Sequence, residues 1–543
     1  MRTPTLFSHR SWFSAVVLAA CLSGCRGGSR VESGNREAIL YVANDSEPAD
    51  LDPHTNIASD SGKILSALFE GLVTLGADGV GVMPGVAQSW DVSPDGLTYT
   101  FHLRADAMWS NGAPVTSQDF MFSFRRVFDP LVACEESSFG YAIKGSEAFA
   151  LGRERDPSTL GIDAPDPHTF VLRLAHPSPY LLGVLAAAAP FMPVYRPLVE
   201  KFGGVHQRGT PWTREGNLIG NGPFVLVKWV QNQVIQVRKN PLYWNAAHVA
   251  LNGVDFVPVE DASTQERGFR TGQFHVTTLF PISKGPAYEG SDALHRCKLQ
   301  RTEFLTFNVR LAPYSDARVR RAISMAFDRR SMVEAVFHSF AEPAFNQLRP
   351  GTGGFTPPYS PAFNSNPDEA RRLLAAAGFP GGKGFPAVEL MLVGRTPEIL
   401  AMGEVIQAQL KDALGITVHA LPTEEKVYLD AERSKHYEVM LDTWGYPWND
   451  PSAYYQTAQT GNPNNDSGWS DPAFDRAFRD AEETTDPGAR ERAFAEQEAR
   501  LADGVPYAPL YFPNTPTLLA KSVRGWVDGP NRNFSWSSLS LAP

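Results

Sequence analysis

The chain has 543 residues, of which 43% are hydrophobic and 20% charged, a globular balance with enough apolar content for a large core. Its formal charge of −10 argues against nucleic acid or an anionic membrane surface as partner, since both repel an acidic protein. Four cysteines are too few for a disulfide scaffold, and no His-x-x-x-His or His-Glu-x-x-His spacing offers a metal set.

The first predicted element is the leader. Residues 13–30 read FSAVVLAACLSGCRGGSR, preceded by Arg2 and Arg10. The apolar run is shorter than the about 20 residues that cross a bilayer, and its layout is that of an export signal. Leu22-Ser23-Gly24-Cys25 resembles a bacterial lipobox, in which the cysteine takes a diacylglycerol and the chain is cut before it. An ordinary signal that happens to contain a cysteine is the alternative. The lipobox reading predicts a signal peptide over 1–24, lipidation at Cys25, and a flexible Gly/Ser/charge tether over 25–37. Only Cys134 and Cys297 would then remain in the folded body, and two buried thiols are expected there.

After the tether, AILYVAND (38–45) reads as a buried strand and SEPADLDPHTN (46–56) as a loop. Leu97, Tyr99, Phe101 and Leu103 alternate with polar residues after the turn Ser93-Pro94-Asp95-Gly96, which predicts a hairpin. A second hairpin is predicted around Gln231-Asn232-Gln233. Val319, Ala322, Ile323, Ala326 and Phe327 share one helix face, with Ser315 or Asp316 as N-cap. Asn366, Pro367, Glu369 and Gly378 supply cap, first-turn proline, capping box and stop for the next helix. AVELMLV, the helix between Thr396 and Gly415, and ITVHAL form a βαβ unit, and YEVMLDTWGY adds a strand. This half is α/β, so a ligand is expected beyond the strands' carboxyl ends, where DTWGYPWNDP falls. Arg318, Arg320 and Arg321, off the apolar face, are expected in solvent, as are the pairs Glu135-Glu136 and Glu424-Glu425.

In order, SEPADLDPH, LFEGL, GVAQSWDVSPDGLTYTFHLRADAMWSNGAPVTSQDF, NGPFVLVKW, FNVRLAPYSDARVRRAISMAFDRR, AAAGFPGGKGFP and DTWGYPWNDP run through nearly the whole body. Together they resemble the oligopeptide-binding proteins of bacterial ABC importers, extracellular solute-binding protein family 5. The resemblance implies an α/β, two-lobed periplasmic-binding-protein fold of the large peptide-binding type, with an extra hairpin-bearing subdomain. Lobe I would span 38–300 with an insertion at about 60–181, lobe II 301–512, and 513–543 would return to lobe I. The hinge would lie near Arg301 and Phe512.

The resemblance also implies a receptor, not an enzyme, that closes on peptides and passes them to a permease and its ATPases. It would be a monomer in the periplasm or cell envelope, touching the membrane through its lipid alone, with no cofactor and no metal. Peptide main chain would pair with strand edges. Ser46, Glu47, Pro48, Asn308, Trp444, Gly445, Tyr446, Trp448 and Asp450 are the ligand-binding candidates, Asn308 being the one most suited to holding a turn. The family pattern places an Asp three residues after the loop Trp, to meet the peptide's ammonium; here Pro447 stands there. Three readings stay open. Asp450 or Glu47 substitutes; the ligand is a blocked or cyclic peptide or a cell-wall fragment; or peptide transport is lost. A lipid-anchored envelope hydrolase is the rival from another class. Asp60-Ser61-Gly62 lacks identifiable catalytic partners, and Gly378 to Lys383 lacks the phosphate-loop spacing.

Overall fold

The structure is a computed structural model that describes residues 28–56, 59–446, 448–530 and 535–543. Cys25 and Pro447, and so the lipidation expectation and the departure from the family pattern, lie outside these residues.

Residues 30–37 correct the expectation of a flexible tether: they form the helix Arg30–Glu37. Ser29 accepts from the Glu32 amide and Glu32 returns the bond to Ser29, closing a capping box. The helix docks closely, since a Cβ at Gly34 would lie 2.4 Å from the Ile39 carbonyl oxygen and 2.6 Å from the His275 ring.

The predicted strand then appears as Ile39–Asn44, an interior strand second from the edge of a five-stranded sheet. It runs parallel to Gly253–Pro258 on one side and Val276–Thr277 on the other. The second predicted hairpin, Phe224–Val230 with Val234–Lys239, completes that sheet, and Asn232 takes the left-handed conformation its turn requires. Leu40, Val42, Ile235 and Phe256 form its core, and Trp536 from the C-terminal segment packs edge-on to Phe256. The first hairpin, Ala87–Val92 with Thr98–Leu103, lies in a separate four-stranded sheet with Thr169–Arg173 and Ile162–Asp166.

The C-terminal half is built on a seven-stranded mixed sheet. Val388–Val393 lies parallel to both Val418–Thr423 and Val439–Gly445, as the βαβ reading requires. The intervening helix Pro397–Leu414 is capped by Thr396 and stopped by Gly415 in the left-handed region. Arg301–Phe307 extends the sheet antiparallel to Val439–Gly445. The long strand Tyr507–Leu518 pairs through its first part with Arg301–Phe307 and through its second with Leu294–Lys298. Leu299 and Gln300 therefore stand beside Pro513 where two strands change partner, and the Leu299 amide donates to the Pro513 carbonyl at 3.2 Å.

Two local details differ from expectation. Asn366 caps the helix Pro367–Ala376, but the Glu369 carboxylate binds Arg372 and does not complete a capping box. Arg320 is buried and donates to the carbonyls of Tyr314, Gly504 and Val505. The end of the helix Pro487–Gly504 leaves carbonyls unpaired, and a guanidinium satisfies them. Arg318 is exposed, as expected. Cys134 and Cys297 are both buried thiols; burial pushes the Cys134 thiol up to about 12, so it is inert at neutral pH.

Candidate functional site

A cavity of about 350 Å³ opens between the N-terminal and C-terminal halves. One wall carries Glu136 and Phe139; the facing wall carries Gln300, Arg301, Trp444 and Gly445. Glu136 belongs to the segment following the helix Ser117–Phe128 and precedes the short turn Ser137–Gly140. Trp444 and Gly445 are the last residues of the strand Val439–Gly445, paired with Thr302 and Arg301. They stand at its carboxyl end but still within it, so the loop begins at Tyr446. There the Tyr446 amide donates to the Gln300 carbonyl at 2.9 Å, which ties the loop to the chain crossing.

A second cavity of about 240 Å³ lies on the other side of Trp448, with Tyr180, Gln300, Trp448 and Asp450 on its walls. The Trp448 indole is 4% exposed, stacks on Tyr180 at 5.6 Å and meets Phe139 edge-on at 5.1 Å. Phe139 and Tyr180 come from the N-terminal half, so this triad joins the halves and partitions the space between them. A third cavity of about 270 Å³ shares Leu75 and Ala187 with the second.

Asp450 lines the second cavity, but Arg490 grips it with two hydrogen bonds of 2.6 and 2.9 Å, and it also accepts from the Ser452 amide. Its role is to fix the loop. Glu47 accepts from the Trp229 indole at 2.5 Å. Ser46 gives its carbonyl to Asn44, Pro48 is buried, and Asp45 pairs with Lys63 on the wall of the third cavity. None of Ser46, Glu47 and Pro48 lines the three cavities. Tyr446 is fully buried, packed edge-on to Tyr454, with its hydroxyl accepting from the Arg349 amide; its ring supports the floor.

Asn308 is buried at the far end of the strand Arg301–Phe307 from Trp444, about 20 Å away at 3.3 Å per residue. Its amide donates to the carbonyls of Lys435 and Tyr437 and its oxygen accepts from Arg310. That is the turn-holding role, and it sets Asn308 apart from the cavities.

Sequence reasoning missed Glu136, Phe139, Tyr180 and Gln300. Glu135 is exposed as expected, whereas Glu136 is half-buried. Burial, reinforced by Glu135, pushes its carboxyl up to about 7. No local pattern marks these residues, because they meet only through the packing of the two halves.

Below the floor, Glu498 is fully buried and accepts from the Gln347 amide and the Tyr455 hydroxyl. Burial raises its carboxyl to about 7, above the unfolded value, so the folded state favours the neutral acid. This contribution is complete below about 4.5 and is lost as pH rises through about 7, a change of about 3 kcal/mol. Glu498→Gln is expected to flatten that part of the stability–pH curve in denaturant titrations. An unchanged slope would contradict the assignment.

The family model for bacterial extracellular solute-binding proteins, family 5, middle region, matches residues 81–466. The chain belongs to this family. Among curated relatives of this family 5 protein, the periplasmic oligopeptide-binding protein OppA of Escherichia coli (strain K12) is 31% identical, covering 97% of this chain and 96% of the relative. The dipeptide-binding protein DppE of Bacillus subtilis is 29% identical, covering 95% of this chain and 96% of the relative. Among solved structures, the Escherichia coli murein tripeptide-binding protein MppA superposes with a TM-score of 0.79 at 29% identity, covering 93% of this chain and 98% of the other. Haemophilus influenzae OppA in complex with RPPGFSPFR gives 0.78 at 26% identity, covering 93% and 99%. The family 5 protein therefore has the two-lobed periplasmic-binding-protein architecture, and the first two cavities draw their walls from both halves of the chain, whereas the third is lined by residues 62–192 and 535–536 alone.

Proposed function

We propose that this chain is an extracytoplasmic receptor that captures oligopeptides between its lobes and delivers them to an ABC permease and its ATPases. The observation that carries the reading is the first cavity, whose walls come from both lobes. Its about 350 Å³ falls in the range of small-ligand sites, about 300–1,000 Å³. Peptide binding is named for OppA, DppE and MppA, which supports the ligand class.

Closure would hinge at Leu299, Gln300 and Pro513, where element-terminal residues can absorb the backbone change. The receptor acts as a monomer and releases its ligand unbroken. Cys25 carries the lipid that holds it to the cell envelope; two acyl chains suffice for stable anchoring where one is marginal.

A mixture of di- to pentapeptides is expected to raise the melting temperature, since ligand at a hundredfold excess over Kd stabilises by about 2.7 kcal/mol. Mass spectrometry should recover the peptides intact. Cleaved peptides would point to the hydrolase, and no shift at saturating concentrations would contradict the peptide reading.

A further inference from the structure

An ammonium taken out of water needs an anion, because an uncompensated buried charge costs several kcal/mol. In the first cavity, the one walled by Glu136 and Trp444, that requirement has one answer. Among the described residues lining it, Glu136 is the single carboxylate and Arg301 the single cation. They stand on opposite lobes, and the other polar side chains between them are neutral, Gln300, Gln456 and Asn464 among them.

Neither of the other carboxylate candidates, Asp450 and Glu47, lines this cavity. Asp450 is held by Arg490, and Glu47 accepts from Trp229. The Glu136 side chain makes no hydrogen bond or ion pair to any described residue, although it is half withdrawn from water.

We propose that Glu136 is the specificity residue for the ligand's cationic end, receiving the amino terminus of a short peptide across the cleft from the Trp444–Gly445 strand end. This rests on the reading of the cleft as a peptide site. The amino end then sits against the turn Ser137–Gly140, away from Arg301, so the two charges fix the direction in which the peptide lies. Because Glu136 belongs to one lobe and Trp444 to the other, an amine held by Glu136 also ties the lobes together. Burial and Glu135 raise the Glu136 carboxyl to about 7, and a cation beside it would favour its ionised form.

The test compares Glu136→Gln with the unaltered protein, using one tripeptide mixture with free amino termini and the same mixture acetylated, by isothermal titration. The glutamine keeps shape and volume, and the melting temperature without ligand reports folding. The unaltered protein should prefer the free-amine mixture by about 10-fold or more, the effect of one charge-assisted contact. The variant should lose that preference while binding the acetylated mixture as before. A preference retained by the folded variant, or absent from the unaltered protein, overturns the role of Glu136 alone. Binding of neither mixture by the unaltered protein overturns the peptide reading as well.

Discussion

Arg126→Met is expected to lower the stability of the folded state by about 3–5 kcal/mol, the cost of stranding one member of a buried ion pair. The Arg126 guanidinium is buried against the Asp52 carboxylate, with contacts of 2.9 and 2.6 Å, and donates also to His54 and to the carbonyls of Gly204 and Val205. His54 in turn reaches the Met192 carbonyl through Nε2. Burial, together with the neighbouring Arg126 charge, lowers His54 to about 4, so it stays neutral with Nδ1 accepting and Nε2 donating. Against the pull of burial, Arg126 holds the Asp52 carboxyl below its ordinary value.

These contacts explain the Asp-Leu-Asp-Pro-His stretch as a structural knot tying residues 50–54 to the helix Ser117–Phe128 and to segment 204–205. Methionine would fill much of the volume and leave Asp52 buried without its cation. The double variant Asp52→Asn with Arg126→Met should recover part of the loss, since neutralising both partners removes the stranded charge. Denaturant midpoints measure both. A single variant within about 0.5 kcal/mol of the unaltered protein, the range of ordinary surface changes, would contradict the assignment.

Trp448→Ala is expected to weaken peptide binding by about 5- to 150-fold while leaving each lobe folded. The indole sits between Phe139 and Tyr180 of the N-terminal half, and each such pair contributes about 0.5–1.5 kcal/mol beyond its buried area. Parting of the halves at this triad would break these contacts, so removing them would lower the population of the closed form, with apparent affinity falling in the same proportion. Tyr180 is coupled further, because its hydroxyl donates to Glu482 at 2.5 Å, beside the Arg490–Asp450 pair. Tyr180→Ala should therefore weaken binding too, and the two changes should be less than additive. Unchanged affinity in a folded Trp448→Ala variant would remove the triad from the closure mechanism.

What the sequence reveals about this chain is mostly local. Both predicted hairpins, the helices capped by Asp316, Asn366 and Thr396, and the βαβ unit rest on periodicity and turn chemistry within about twenty residues. The helix Arg30–Glu37 was within reach, because Ser29 and Glu32 form a capping box, but the polar segment has no apolar stripe and depends on docking at Gly34. Arg320 escaped because its partners, the carbonyls of Gly504 and Val505, lie far along the chain.

The site divides the same way. Trp444, Gly445, Tyr446, Trp448 and Asp450 line cavities and were legible from the loop's place at a strand end. Glu136 and Tyr180 were not, since only the packing of one lobe on the other gives them a role. Asn308, Ser46, Glu47 and Pro48 had motif position in their favour but lie off the cavities: Asn308 bonds the Lys435 and Tyr437 carbonyls, Ser46 gives its carbonyl to Asn44, Glu47 accepts from Trp229, and Pro48 is buried.

The most direct test is a crystal structure of the protein grown with a saturating tripeptide mixture. Continuous main-chain density between Glu136 on one lobe and Gly445 on the other, with every peptide bond intact, is the predicted result. Peptide bound only on the outer surface, with the inter-lobe space closed to it, would contradict the account.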